Sequence, residues 1–238
     1  MKIALIGYGK MGKAIEEIAL QRHHEIVLRI NDENLEDFTK QRLEKTDVAI
    51  EFTGPHSAFE NLKQCINWNI PVVCGSTGWL DQLSSIKTLC TAMNGSFIYA
   101  SNFSVGVNIF FAVNKRLAQL MQDHLEYDIE IEEIHHTQKK DAPSGTAITI
   151  AEQILELNSH KKKWINQPTA YKEELPIISK RIDPAPGTHT VKYISVTDDI
   201  EIRHTAHNRT GFALGAVLAA EYIQDKKGIF TMKDVLGI

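Results

Sequence analysis

The chain has only three cysteines, Cys65, Cys74 and Cys90, and their spacing shows no pairing. That excludes a disulfide-framed domain and a cysteine-based zinc site; the thiols are expected to be reduced and mostly buried. Basic charge is not in excess, since the formal net charge is −4. No general affinity for nucleic acid or anionic membrane follows, and any anion site must be built locally. No apolar run approaches the roughly 18 residues that a membrane helix needs. The opening MKIALIGYGKMG puts one lysine before a short apolar run without a small-residue cleavage site, so no secretion signal is expected. Repeats and low-complexity segments are absent as well. What is there is a globular composition, 43% hydrophobic and 24% charged over 238 residues. That length suits one large domain or two small ones, expected in the cytoplasm.

Residues 2–6 (KIALI) form a short apolar run ending at Gly7, the pattern of a buried parallel strand. Met11, Ala14, Ile15, Ile18 and Ala19 then recur at helical spacing, and Ile26 to Ile30 is a second apolar run. Together they make a βαβ unit. The alternation continues through strands at 47–52, 70–75 and 97–101, with helices near 57–68 and 81–93 between them. A doubly wound parallel sheet is therefore expected. After Phe103 the character changes. A helical pattern covers 106–122, and YDIEIEEI (127–134) alternates at period two. Further β-like runs fill 176–206, joined by a tight turn at Asp198–Asp199, and imply a second α+β domain with a mixed sheet. The expected boundaries are 1–103 plus 210–238 for a dinucleotide-binding domain, and 104–209 for a substrate-binding and oligomerisation domain. The apolar helix 212–223 would pack back on the first domain. The polar stretch 158–175 reads as a mobile surface loop.

Gly7-Tyr8-Gly9-Lys10-Met11-Gly12 fits GxGxxG between a strand and a helix. Gly7 permits the tight turn, Gly9 lets a pyrophosphate approach the backbone, and Gly12 lets helix and strand pack closely. The helix N-terminus then offers N–H groups and partial positive charge to phosphates. Asp32, about twenty residues beyond Gly12, stands where an acidic side chain binds ribose hydroxyls. With Glu33 beside it, this corner favours NADH over NADPH. Arg29 and Lys40 are the cations that would reverse the preference.

The segment from Glu133 to Ala147, EIHHTQKKDAPSGTA, runs from the end of an alternating strand to the start of a helix. Asp141 and Ser144 are both candidate N-caps, and Pro143 suits the turn or the first helical position. The helix cannot use the N–H groups of its own first turn, at Gly145 and Thr146, so they form a natural carboxylate cradle. Just before it stand His135 and His136, able to exchange protons at neutral pH, and Lys139 and Lys140, which carry positive charge. Adjacent histidines in a strand point to opposite faces unless the strand ends there. No third ligand with metal-site spacing accompanies them, so no metal is expected.

This segment resembles the signature of the dihydrodipicolinate reductase family, acidic-x-His-His-x-x-Lys-x-Asp-Ala-Pro-Ser-Gly-Thr-Ala, at every fixed position. Further matching stretches are FTGP (52–55), GSTGW (75–79), ASNFSVGVN (100–108), PGTHTV (186–191) and HNRTGFALGA (207–216). Ser76 and the Asn31-Asp32 pair depart from the usual pattern, and the second departure bears on cofactor choice. The resemblance implies a Rossmann-type first domain and reduction of 4-hydroxy-tetrahydrodipicolinate by NADH or NADPH, with loss of water, on the diaminopimelate route to lysine. It implies that His135 is the main proton donor or acceptor, with Lys139 as the second. His136, Ser144, Gly145, Thr146 and Arg209 would bind the dicarboxylate substrate, with Lys140 close by. Gly75, Ser76 and Thr77, with Ala100, Ser101, Asn102 and Phe103, would line the nicotinamide side of a cleft between the domains. It implies a homotetramer built through the second domain. The competing readings are a dehydrogenase of aspartate or a similar amino acid, and a nucleotide-binding protein without catalysis. The first would lack the HHxxKxDAPSGTA loop, and the second would be expected to lose its His-His-Lys set.

Overall fold

The computed structural model describes residues 1–208 and 210–238. In chain order its elements begin with β1 (Lys2–Ile6), α1 (Lys10–Gln21), β2 (Glu25–Ile30), α2 (Lys40–Leu43), β3 (Val48–Glu51) and α3 (Ala58–Asn67). They continue with β4 (Val72–Cys74), α4 (Leu83–Ala92), β5 (Ser96–Tyr99), α5 (Val105–Met121), β6 (Asp128–His135) and α6 (Gly145–Leu157). The last are β7 (Lys163–Ile165), β8 (Glu174–Arg181), β9 (Gly187–Ile194), β10 (Asp199–Ala206), α7 (Thr210–Ile223), β11 (Gly228–Phe230) and α8 (Met232–Leu236). They fall into two compact units, Met1–Val105 with Thr210–Ile238, and Gly106–Arg209.

The first unit is built on a six-stranded sheet in the order β11-β5-β4-β3-β1-β2, every neighbouring pair parallel. Its central strands are buried on both faces, which is why they read as unbroken apolar runs. One face packs Ile3, Leu5 and Ile50 against α1 and against Ala213, Val217 and Ala220 of α7. The other packs Ala4, Ile6 and Ala49 against Leu62 and Ile66 of α3 and Ile86 of α4. All three cysteines are free and buried, and burial pushes each thiol upward in pKa.

The second unit has a mixed sheet, β10-β9-β6-β8-β7. Strand β9 runs antiparallel to β6 and β10, while β6, β8 and β7 are mutually parallel. Strand β6 buries Ile129, Ile131, Glu133 and His135 at period two. The two isoleucines meet Ala147, Ile150, Ala151 and Ile154 of α6 in one apolar cluster.

Two readings of the sequence are corrected here. The stretch 158–175 is not simply a loop, because β7 lies within it, paired in parallel with β8. Lys161 is buried with its stem packed and its Nζ donating to Glu174 O at 3.0 Å. A lysine run reads as solvated, yet one long stem can pack while its ammonium finds an acceptor. The turn between β9 and β10 is Ser195–Asp198, not Asp198–Asp199, since Asp199 already pairs with Ile194. Ser195 Oγ accepts from the N–H groups of Thr197 and Asp198, holding four residues where two were expected. No described helix is long and apolar enough to cross a membrane.

Candidate active site

The glycine loop leaves the C-terminal end of β1, and its three glycines do different things. Gly7 has φ +97°, and an added Cβ would lie 2.2 Å from Phe52 O. At Gly12 an added Cβ would lie 2.4 Å from Gly7 O. At Gly9, the N-cap of α1, an added Cβ would meet nothing within 4 Å among the described residues. Two glycines are therefore required by packing, and the third leaves space for something outside the chain. Gly7 and Tyr8 donate their N–H groups to Ile30 O at 2.9 Å each, tying the loop to β2. Lys10 is exposed at the head of α1, while Met11 packs on the core. A cavity of about 480 Å³ opens here, lined by Gly7, Tyr8, Gly9, Asn31, Asp32 and Phe52 to Pro55.

Asp32 is exposed on the wall of this cavity. Arg29, the nearer candidate for a phosphate, is held by Glu16, with Nε to Oε1 at 3.1 Å, and lies over the Tyr8 ring. Tyr8 also donates to Glu16, whose carboxyl Arg29 and Tyr8 hold below its ordinary pKa. Gly75, Ser76 and Thr77 follow β4, and Ala100 to Phe103 follow β5. Both stretches thus leave the same end of the sheet as the glycine loop, the end where parallel sheets bind ligands. Ser76 is buried, and its Oγ has no hydrogen-bond partner among the described residues. Phe103 packs in the core, its ring 5.7 Å from that of Phe52 and its carbonyl oxygen against Gly215 of α7, where an added Cβ would lie 1.7 Å away, so the structure buries this predicted cofactor residue. Thr77 and Ser101 are exposed, and Asn102 Oδ1 accepts from Ser104 N.

In the second unit, β6 ends at His135, so His135 closes the buried face and half-buried His136 begins the loop. The loop is tethered on two sides. Thr137 N and Oγ1 donate to Asp183 at 3.1 and 2.6 Å, and Arg181 Nη2 donates to Asp141 O at 2.6 Å. Lys139 Nζ reaches both carboxylate oxygens of Asp141, at 2.7 and 2.8 Å. Asp141 is thus occupied as an ion-pair partner and does not cap α6. Ser144 is the cap, its Oγ accepting from Ala147 N at 3.2 Å. Gly145 is exposed at the first position of α6, and an added Cβ would meet nothing within 4 Å among the described residues. Nothing inside the fold requires glycine there. Half-buried Thr146 follows, and Lys140 is exposed. Arg209 lies outside the described residues.

Behind the loop lies a buried group the sequence reading assigned no role. Glu133 is fully buried and accepts from Ser144 N at 3.1 Å on both oxygens. It also accepts from Arg181 Nη2 at 3.2 Å. Its Oε2 lies 3.2 Å from His135 Nδ1 and 3.8 Å from His189 Nε2. His189 Nε2 is 3.1 Å from Ser144 Oγ, and its ring stands edge-on to His135 at 5.1 Å. Burial alone would raise the Glu133 pKa, but the contacts from His135 and Ser144 hold it well below the carboxylate range. Burial, with the neighbouring His135, pushes His189 down to about 4. Glu133, His135 and His189 bring ligand atoms within 4.8 Å of one another, a third partner that spacing in the sequence did not reveal. The Arg181 guanidinium already balances the Glu133 charge, which works against a metal cation there.

The chain matches two family models, described as the N-terminus of dihydrodipicolinate reductase over residues 1–103 and its C-terminus over residues 106–236. It is 54% identical to the 4-hydroxy-tetrahydrodipicolinate reductase of Christiangramia forsetii, over 100% of this chain and 98% of that one. To the protein of the same name from Methanosarcina acetivorans it is 35% identical, over 99% and 89%. Its fold is similar to a dipicolinate-bound dihydrodipicolinate reductase from Paenisporosarcina sp. TG-14, with a TM-score of 0.78, 26% identity and 97% of each chain covered.

Proposed function

The chain belongs to the dihydrodipicolinate reductase family, and from that premise we propose that it reduces 4-hydroxy-tetrahydrodipicolinate to tetrahydrodipicolinate, with loss of water, on the diaminopimelate route to lysine in the cytoplasm. When bound, the nicotinamide supplies hydride. The chain's own residues hold the reactants and move protons. Gly7 to Gly12 receive the pyrophosphate at the head of α1, and the loops after β4 and β5 receive the nicotinamide. His135 acts as the main proton donor, and Lys139 as the second and as a charge opposite the developing anion. His136, Gly145 and Thr146 hold a substrate carboxylate, with Ser144 as the buried cap beneath them, joined by Arg209, whose guanidinium suits two-point pairing. The carrying observation is Gly145. It is open to the outside at the N-terminus of α6, next to the Ser144 whose N–H Glu133 accepts, with no internal reason to be glycine. Dipicolinate, the planar dicarboxylate named with the Paenisporosarcina structure, is the kind of ligand such a cradle fits.

NADH is the favoured cofactor. A 2′-phosphate would meet Asp32 and Glu33, while Arg29 is held by Glu16. Subunits assemble as a homotetramer through the mixed sheet, where the end of β9, the turn after it and edge strand β10 expose Ile194, Val196 and Ile200 in that order. The test couples the protein to a synthase that generates the unstable substrate and follows NADH and NADPH absorbance separately. Turnover faster with NADH supports both readings. Turnover with NADPH only removes the Asp32 argument, and no turnover with either removes the activity.

A further inference from the structure

We propose that Glu133 is a positioning residue for the reaction: its buried carboxylate fixes the His135 ring through Nδ1 and ties that ring to the N-terminus of α6. This inference rests on the reading of His135 as the proton-transfer group.

The geometry begins with the strand. Positions 133 and 135 share the buried face of β6, so both side chains stand on one side of the sheet. Glu133 Oε2 is 3.2 Å from Nδ1, off the ideal hydrogen-bond direction, and no other described group reaches that nitrogen. A small ring rotation would complete the bond. A carboxylate on Nδ1 selects the tautomer with its proton there and leaves Nε2 to exchange protons with substrate. Space is kept on the Nε2 side too. Gly187 on β9 faces it, and an added Cβ would lie 3.1 Å from Nε2.

The same carboxylate receives the backbone N–H of Ser144, the residue that caps α6. One group therefore sets the spacing between the proton-transfer ring and the carboxylate cradle. The charged and titratable neighbours are Arg181 on β8, His189 on β9, and Lys139 with Asp141 in the loop. Lys139 and Asp141 neutralise each other, and His189 is neutral near pH 7. The balance around His135 is left to Glu133 and Arg181, which pull its proton affinity in opposite directions.

Opposite signs make the test specific. The full chain, labelled with ¹⁵N-histidine, is titrated by NMR as wild type, E133Q and R181Q, and kcat is measured against pH in parallel. Wild-type His135 is expected mainly as the Nδ1–H tautomer. In E133Q the His135 resonances should titrate at lower pH, with the matching limb of the kcat profile moving the same way. Turnover should fall about 10- to 100-fold, the usual scale for groups behind a working residue, while KM for NADH changes less than about twofold. In R181Q the His135 pKa should rise. An unbiased wild-type tautomer overturns the proposal, as does a His135 pKa unmoved in both variants even where activity falls. If E133Q does not fold, the wild-type tautomer and R181Q decide. H135A separates the two levels. Near-wild-type turnover in H135A would remove the acid assignment, while the NMR coupling would still report on Glu133.

Discussion

The two units each present a helix N-terminus with an exposed glycine, and they prepare it in different ways. At α1 the cap is Gly9, with no side-chain bond, and the loop is held by backbone alone, through Gly7 and Tyr8 to Ile30 O. At α6 the cap is a serine side chain, and behind it lies a buried carboxylate bonded to an arginine and close to two histidines. Under the proposed function, the contrast follows from what each would bind. A dinucleotide brings its own redox chemistry, so its loop need only admit phosphates and stay out of the way. A substrate that loses water needs protons delivered at a fixed place, so its loop must hold titratable groups still.

The contrast breaks most visibly at His135 and Lys139. Alanine at either should lower turnover by roughly two to four orders of magnitude with NADH affinity nearly unchanged. Steady-state rates and calorimetry on the same preparations check it, and a large loss of NADH affinity would blur the division. Next in size are the two kinds of glycine. Gly7→Ala forces a side chain into a positive φ and against Phe52 O, and should destabilise by more than about 1–3 kcal/mol. Gly9→Ala should leave the melting temperature near wild type and weaken NADH binding. Thermal melts with and without NADH distinguish them.

Acid stability probes the buried cluster. His189 titrates near 6.5 when unfolded and at about 4 when folded, so the unfolded chain binds the extra proton first as pH falls. Its contribution is complete above pH 6.5 and is lost between about 6.5 and 4, on the order of 3 kcal/mol. Glu133, depressed in the folded state, adds a further loss as pH drops through the carboxylate range. Urea melts across this interval should flatten between pH 6.5 and 4 in His189→Gln. The smallest effect belongs to Ser144→Ala, which removes the cap bond and the Oγ contact with His189 and should cost about 1–2 kcal/mol, read by the same melts.

Most of the fold was legible because buried parallel strands and amphipathic helices announce themselves by period. Strand β7 did not, because three residues among lysines carry no period. Strand β11 escaped for the same reason, having only Gly228 to Phe230. The motif loop was legible as a string, and its glycines as candidates. Glu133 could have been found, since it is a charge in phase with Ile129 and Ile131 on an apolar face. His189 offered a similar sign within β9. The partnership with Arg181 could not, because it depends on β8 lying beside β6 in register, a contact 48 residues apart.

The central claim is that an exposed glycine without internal cause marks backbone that faces a ligand, and Gly145 tests it most directly. Pyridine-2,6-dicarboxylate titrated into Gly145→Val by calorimetry should bind at least about tenfold more weakly than into wild type. The melting temperature and NADH affinity should stay close to wild type, because the added Cβ has space within the fold. Unchanged dicarboxylate affinity in a folded Gly145→Val protein would contradict the claim.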